Sequence, residues 1–137
     1  MTGPLPTGGP GTLARIDRLV EQARRLLPPR PTAADLPALV ARGALIVDIR
    51  PVDQRSRDGE LPGSVVIDRN VLEWRLDPSS PYRIPQAPRP DQEVVLVCNE
   101  GYASSLAAES LQKLGLTGAT DLAGGYQGVL KLAGARA

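Results

Sequence analysis

The feature that most constrains this chain is a short valine-rich run that ends at its single cysteine. Val94–Val97 predicts a buried strand, and Cys98 follows it directly. Polar residues and a glycine come next (99–101), and a helical pattern begins near Ser104. A strand, a tight loop and a helix in this order place a thiol at the carboxyl end of a strand, where open α/β sheets hold their ligands.

The residues alone allow two interpretations of this thiol. A lone cysteine beside a valine run is often a small buried apolar residue with no chemical role. A loop of successive N–H groups that leads into a helix N-terminus would instead stabilise Cys98 as a thiolate, the form that reacts. Ser104 or Ser105 is expected to cap the helix rather than to act in catalysis, because the chain has no histidine to serve as a base.

The composition excludes several classes of function. The absence of histidine excludes histidine bases and histidine-containing metal sites, and one cysteine excludes an intramolecular disulfide and thiolate zinc clusters. A formal net charge of +1 gives no electrostatic case for binding nucleic acid or an anionic membrane. No apolar run approaches the ~20 residues of a membrane span, and the first ten residues do not resemble a signal peptide. A cytoplasmic protein is therefore expected.

At 137 residues the chain is expected to hold one domain with an addition at its amino end. Residues 1–11 are rich in glycine and proline and are predicted to be disordered. Residues 12–28 predict an amphipathic helix, from Leu13 to about Leu27. Packing of this helix on the domain of residues 29–137 is favoured over a dimer contact, although a homodimer stays open.

Strands and helices alternate through the predicted domain. The predicted strands are four short segments: Leu45–Ile49, Ser64–Ile67, Val94–Val97 and Thr120–Leu122. The predicted helices are Ala33–Ala41 and Val71–Leu76, capped by Thr32 and Asn70, then Ser104–Leu114 and Tyr126–Ala133, with a loop or short helix over 51–59. This alternation is typical of an α/β fold whose mostly parallel sheet is covered by helices on both faces.

Four segments, in order along the chain, resemble the rhodanese-like domain family. The loop from Cys98 to Ser105 is similar to the family's pattern of cysteine, two variable residues, glycine and a nearby serine. The other three segments are the Asp48-Ile49-Arg50 strand end, the Gly59–Ser64 turn and the Gly124-Gly125 turn before the last helix. The resemblance covers about residues 32–134. It implies a rhodanese-like α/β fold: a central, mostly parallel five-stranded sheet flanked by helices on both faces.

Catalytic members of that family are sulfurtransferases, so the resemblance implies that Cys98 is the nucleophile and carries sulfur as a persulfide. It implies that loop amides bind the substrate, namely those of Asn99, Glu100, Gly101, Tyr102, Ala103 and Ser104. It also suggests supporting roles for Asp48, Arg50 and Arg69. The expected partners are a thiosulfate-like or persulfide donor and a thiol or cyanide acceptor, with a protein acceptor left open. This covalent chemistry needs no cofactor and no metal.

Two departures from the family pattern keep other functions open. Ala103 stands where the family often has arginine, and Glu100 adds negative charge to the loop. A catalytically weak or inactive interaction or sulfur-carrier module is therefore the second hypothesis. A cysteine-dependent phosphatase or arsenate reductase is the third hypothesis. It is ranked last because such enzymes clamp phosphate with an arginine at the position that Ser104 occupies here. Nearby arginines could restore positive charge, although salt bridges with neighbouring aspartates are favoured for each: Arg50, Arg55, Arg57 and Arg69.

Overall fold

Four parallel strands form one sheet in the part of the chain that the computed structural model describes, residues 14–136. They are β1 (Leu45–Asp48), β2 (Val65–Val66), β3 (Val94–Val97) and β4 (Ala119–Asp121), in the spatial order β2-β1-β3-β4. Every residue of β3 is buried, which accounts for its unbroken apolar sequence. A central parallel strand meets helices on both faces of the sheet, so neither face of it can be polar.

The helices are α1 (Arg15–Arg25), α2 (Leu36–Ala41), α3 (Val52–Asp58), α4 (Leu72–Leu76), α5 (Ala103–Lys113) and α6 (Gly125–Arg136). Short 3-10 turns precede α2 and α4. The first turn starts at the predicted cap, where the Thr32 N–H donates to Asp35 Oδ2 at 2.8 Å. The predicted cap at Asn70 is wrong. Asp68 caps that turn, because its carboxylate accepts the Asn70 N–H at 2.7 Å.

Two hydrophobic clusters cover opposite faces of the sheet. One packs the sheet against α4 and α5 and contains Leu96 and Cys98. The other packs it against α2 and α6 and contains Leu39, Val97 and Tyr126. Neighbouring residues of β3 therefore alternate between the α4/α5 face and the α2/α6 face. This is the predicted α/β arrangement with helices on both faces.

The register of the sheet places one aspartate on each side of β3. Asp48 of β1 is paired with Val97, and Asp121 of β4 is paired with Leu96. Paired residues of parallel strands point to the same face, so Asp48 lies on the α2/α6 face and Asp121 on the α4/α5 face. Cys98 shares the α4/α5 face with Asp121.

The predicted fifth strand is wrong, because the sheet within residues 14–136 has four. A segment at 28–31 runs beside the edge strand β4 instead. Pro31 accepts the Ala123 N–H at 2.8 Å, and Pro28 accepts the Thr120 hydroxyl at 3.1 Å. Three of the four residues in the segment are proline and lack an N–H, so they cannot complete a strand ladder. The segment covers the edge of the sheet without extending it.

The predicted amino-terminal helix is present as α1 and packs on α5. Val20 and Ala23 are buried, whereas Ile16, Leu19 and Leu26 are each more than half exposed. The apolar face is therefore only partly covered, because α1 contacts the domain along a narrow strip. The tail predicted over residues 1–11 lies outside the described residues. No helix within residues 14–136 is long and apolar enough to cross a membrane.

Candidate active site around Cys98

Cys98 follows β3 directly and is only 7% exposed. Its Sγ accepts the Gly101 N–H at 3.1 Å and the Ser104 N–H at 3.4 Å. Gly101 has a φ of +89°, a conformation that side-chain-bearing residues rarely adopt, and this conformation brings its N–H to the sulfur. The loop and the first turn of α5 thus surround the thiol with donors. Such an arrangement is complementary to negative charge on sulfur.

Ser104 and Asp121 continue the contacts of the thiol into the α4/α5 face. The Cys98 S–H donates to Ser104 Oγ at 3.1 Å, and the Ser104 hydroxyl donates to Asp121 Oδ2 at 2.7 Å. Ser105 donates its hydroxyl to the same carboxylate oxygen at 2.9 Å. The capping role predicted for these serines is wrong. Helix α5 begins at Ala103, so both serines lie within its first turn and point toward β4.

The double-glycine turn before α6 packs directly against the cysteine loop. A Cβ on Gly125 would lie 2.7 Å from the carbonyl oxygens of Cys98 and Asn99, so only glycine permits this approach. The N–H groups of Tyr126 and Gln127, at the start of α6, donate to those two carbonyls at 2.9 and 3.0 Å. The glycines of the sequence motif therefore let α6 hold the residue that carries the thiol.

Two arginines near the amino end of the described residues converge on the same loop. Arg24 donates to the Gly101 carbonyl oxygen at 2.8 Å through Nη2 and to Ser105 Oγ at 3.0 Å through Nε. Arg30 donates to the same carbonyl at 3.0 Å and to both carboxylate oxygens of Asp121, at 2.7 and 3.1 Å. Asp121 is completely buried, so Arg30 neutralises a charge that water does not reach.

Sequence reasoning missed Arg24, Arg30 and Asp121. Asp121 carried a usable signal, because it ends the strand next to β3 and so lies at the same edge of the sheet as the thiol. The arginines carried none. They are 77 and 71 residues from Gly101 along the chain, and nothing local to them indicates that contact.

Arg24 also lies over Tyr102, with its guanidinium carbon 5.6 Å from the ring centroid. Partial burial lowers the pKa of Arg24, and the nearby charge of Arg30 lowers it further. A guanidinium stays protonated regardless, so both arginines add positive charge beside the loop. This charge enters from α1 and its linker, whereas Ala103, at the family's loop-arginine position, is exposed and neutral.

Asp48 and Arg50 form a closed pair on the opposite face. Arg50 Nη2 donates to Asp48 Oδ2 and to the Gly59 carbonyl, both at 2.8 Å, and neither charged side chain is exposed. The Arg50 guanidinium stacks on Tyr126 at 3.7 Å from the ring centroid, while its Nη1 has no hydrogen-bond partner. Because the Tyr126 N–H holds the Cys98 carbonyl, this pair supports the loop from behind.

The other arginines considered from the sequence are in ion pairs: Arg55 with Glu60, Arg57 with Asp58, and Arg69 with Glu73. The predicted salt bridge with an aspartate is confirmed for Arg57, whereas Arg55 and Arg69 pair with glutamates and the predicted aspartate partner is wrong for them. Arg69, for which a supporting role at the site was predicted, holds the start of α4.

Asn99 and Glu100 of the loop are both partly buried. Gln127 Nε2 donates to Asn99 Oδ1 at 2.9 Å and to Asp58 Oδ2 at 3.2 Å. The hydrogen bond from Arg57 is the main cause of the lowered pKa of Asp58. Within the part of the chain that the structure describes, no cluster of three or more His, Cys, Asp or Glu side chains could hold a metal ion.

A family model for the rhodanese-like domain matches residues 32–132, most of the chain and all of the sheet. The chain belongs to the rhodanese-like domain family. The matched region starts after α1 and after Arg30, so Arg24 and Arg30 reach the loop from outside it. No curated protein matches the chain.

Solved structures of similar proteins have the same fold. A Rhodopseudomonas palustris protein of unknown function, named as a possible tyrosine phosphatase, is 35% identical with a TM-score of 0.76, over 92% of this chain and 97% of that one. A human single-domain sulfurtransferase is 28% identical with a TM-score of 0.65, over 76% and 96% of the two chains. A rhodanese homolog from Thermus thermophilus is 27% identical with a TM-score of 0.51, over 72% and 96%.

Proposed function

We propose that this protein is a sulfurtransferase that carries sulfane sulfur on Cys98 as a persulfide. The observation that carries the proposal is the set of groups around Sγ: the Gly101 N–H, the Ser104 N–H and the Ser104 hydroxyl, all within 3.4 Å. Both the attacking thiolate and the persulfide bear negative charge on sulfur, which the two N–H groups stabilise. The Ser104 hydroxyl accepts the S–H of the thiol and can turn to donate once that proton is lost. Family membership and a structural relative that is a sulfurtransferase support the same assignment.

The proposed reaction has two displacement steps. The Cys98 thiolate attacks the outer sulfur of a donor such as thiosulfate, a new sulfur–sulfur bond forms, and sulfite leaves with the electron pair of the old bond. An acceptor then attacks the terminal sulfur of the persulfide, and the Cys98 thiolate leaves. With cyanide as acceptor the product is thiocyanate. Donor and acceptor together balance both steps, so the protein needs no oxidant or cofactor.

The charges around the loop bear on the choice of donor. Arg24 and Arg30 lie beside the loop, but their Nε and Nη2 groups are directed at Gly101, Ser105 and Asp121. Thiosulfate carries two negative charges, and it meets no arginine of the loop itself, because Ala103 stands at that position. We expect a persulfide donor to be used more efficiently than thiosulfate.

Mass spectrometry of the intact protein tests the proposal directly. After incubation with thiosulfate, mercaptopyruvate or an alkyl persulfide, we expect a gain of one sulfur atom that cyanide removes as thiocyanate. Cys98→Ser is the control, and it is a clean one because the chain has no other thiol. If no donor produces the gain, sulfur transfer is overturned, and a rhodanese-fold interaction module becomes the better assignment.

Phosphatase activity is the competing function, because a relative at 35% identity is named as a possible tyrosine phosphatase. A phosphate clamp needs a guanidinium that presents two donors to the ligand. In this chain Ser104 occupies the clamp position. We expect para-nitrophenyl phosphate hydrolysis no faster than that of Cys98→Ser. Hydrolysis that depends on Cys98, without persulfide formation, would replace the sulfurtransferase assignment.

A further inference from the structure

We propose that Arg24 and Arg30, which precede the matched residues 32–132, are positioning residues that set the reactivity of Cys98: both hold the Gly101 carbonyl, and Arg30 also frees the Ser104 hydroxyl proton from Asp121. The inference rests on the proposed function, because it concerns the same thiol. It goes beyond that function in assigning a role to a segment outside the matched residues 32–132.

Helix α1 brings Arg24 to the site by packing on α5. Its buried residues are Val20 and Ala23, and Ala23 directly precedes Arg24. The Arg24 side chain therefore lies beside the buried residues of α1, and its guanidinium contacts Ser105 in the first turn of α5. Arg30 belongs to the segment at 28–31 that runs beside β4, and its ion pair with Asp121 holds it on the α4/α5 face.

The Gly101 carbonyl is the point where the two guanidiniums meet, with donor distances of 2.8 and 3.0 Å. The N–H of this glycine is one of the donors to Cys98 Sγ. A glycine at positive φ has wide conformational freedom, so its orientation must be fixed by outside contacts. The backbone of Leu122, Gly124 and Gly125 lies close to Gly101, and the two arginines hold its carbonyl oxygen.

The Ser104 hydroxyl has one proton and two neighbours that compete for it. While Cys98 is a thiol, its S–H donates to Ser104 Oγ and the hydroxyl donates to Asp121. Once the thiol has lost its proton to water, the thiolate has no proton to give and needs the hydroxyl proton as a donor. If Asp121 kept that proton, a serine lone pair would face the negative sulfur.

Arg30 settles this competition by satisfying Asp121. It donates to both carboxylate oxygens, and Ser105 supplies a further hydrogen bond. The carboxylate therefore remains hydrogen-bonded and neutralised when Ser104 turns toward the sulfur. Without Arg30, a fully buried carboxylate would depend on the two serines, would retain the Ser104 proton and would repel the thiolate.

The rate of Cys98 alkylation by iodoacetamide at neutral pH tests the inference without any sulfur donor. We expect Arg30→Ala to slow alkylation on the order of tenfold, the effect of losing one hydrogen bond to a charged group. Arg24→Ala removes one hydrogen bond to Gly101 and one to Ser105 but leaves Asp121 neutralised by Arg30, so it should slow alkylation about threefold. Arg30→Lys should recover part of the rate. The matched control is Arg25→Ala, an exposed arginine of the same helix, which should react like the wild type.

Asp121→Asn distinguishes positioning from a merely structural role. Its amide is a weaker acceptor and carries no charge, so it releases the Ser104 proton, and alkylation should become faster than in the wild type. Arg30→Ala combined with Asp121→Asn should return close to the wild-type rate. A structural role for these groups would instead slow alkylation in all three proteins.

Two results overturn the inference: an Arg30→Ala rate equal to that of Arg25→Ala, or an Asp121→Asn rate as low as that of Arg30→Ala. Urea unfolding of each variant confirms that it is folded, and Arg30→Lys and Asp121→Asn decide the question if Arg30→Ala does not fold. Persulfide formation is measured separately. Altered alkylation without a persulfide from any donor removes the proposed function alone, and persulfide formation with unaltered alkylation removes this inference alone.

Discussion

Two buried aspartates flank the strand that leads to the cysteine, and they obtain their arginines from different distances. Asp48 is neutralised by Arg50, two residues away, whereas Asp121 is neutralised by Arg30, 91 residues away. The local pair closes on itself on the α2/α6 face. The distant pair lies on the face of the thiol and is joined to it through Ser104. The local pair thus supports the loop from one face of the sheet, and the distant pair makes the reactive loop depend on a residue outside the matched region, 32–132.

The largest expected effect comes from breaking the local pair. Asp48→Asn leaves the Arg50 charge buried without a carboxylate, which costs about 3–5 kcal/mol of unfolding free energy. Urea denaturation measures this loss. Asp53→Asn, an exposed aspartate of α3, is the control and should be close to neutral. A loss no larger than that of the control would show that the pair contributes nothing to the fold.

Breaking the distant pair should cost less stability. Asp121→Asn is expected to lower the unfolding free energy by about 1–2 kcal/mol, because while Cys98 is a thiol the amide oxygen can still accept from both serines, and the Arg30 side chain is 21% exposed and can turn to water. The same denaturation experiment compares it with Asp48→Asn. If Asp121→Asn proves the more destabilising change, the contrast between support and reactive link is wrong.

Glu73 provides an intermediate case, a partly buried carboxylate between α4 and α5. Burial raises the pKa of Glu73, but the Ser110 hydroxyl at 2.6 Å and the charge of Arg69 outweigh it, so the pKa is lowered overall. A carboxyl group with a lowered folded-state pKa adds stability above its unfolded pKa and loses that stability as pH falls through the folded value.

We therefore expect Glu73→Gln to lower the unfolding free energy at neutral pH by less than about 1 kcal/mol. The difference from the wild type should shrink as the pH of the denaturation series falls below about 4.5, where the unfolded glutamate protonates. Glu21→Gln, an exposed glutamate on α1, should show no such trend. A difference that grows in acid would mean that folding raises the pKa of Glu73 instead of lowering it.

The smallest effect belongs to Arg42 and Glu93, whose geometry is as good as that of the buried pairs. Two bonds of 2.7 Å join them, yet both side chains are about half exposed. Water competes for both charges, so Arg42→Ala should leave the thermal midpoint unchanged within the scatter of replicate melts. A clear fall in the midpoint would mean that hydrogen-bond geometry, rather than burial, determines how much an ion pair stabilises this fold.

Local features of the sequence predict a good part of this molecule. The valine run at 94–97, the turn-forming Gly101 and the helical pattern after it are enough to place Cys98 at a strand end among amides. Asp48 and Arg50 are recognisable because the two residues that interact lie in one short motif. Each of these features acts over a few residues of chain, the range in which spacing and propensity carry information.

Features that depend on distant contacts are missed or wrongly predicted. The family resemblance implies a fifth strand, but the prolines at 28–31 take up the edge of β4 without forming a ladder. Ser104 and Ser105 are expected at a helix cap, but both lie within the first turn of α5 and donate their hydroxyls to Asp121 of β4. The residues around Arg24 and Arg30 give no sign of their contacts, because their partners lie more than 70 residues away.

The distance between the arginines and their partners also sets the order in which the site can be assembled. During synthesis Arg24 and Arg30 leave the ribosome before their partners. Gly101 of the loop and Asp121 of β4 follow 71 or more residues later. Helix α1 must wait for α5 before it has a surface to pack on. The cysteine loop of a nascent chain is therefore held by both guanidiniums only after nearly all of the sheet has been made.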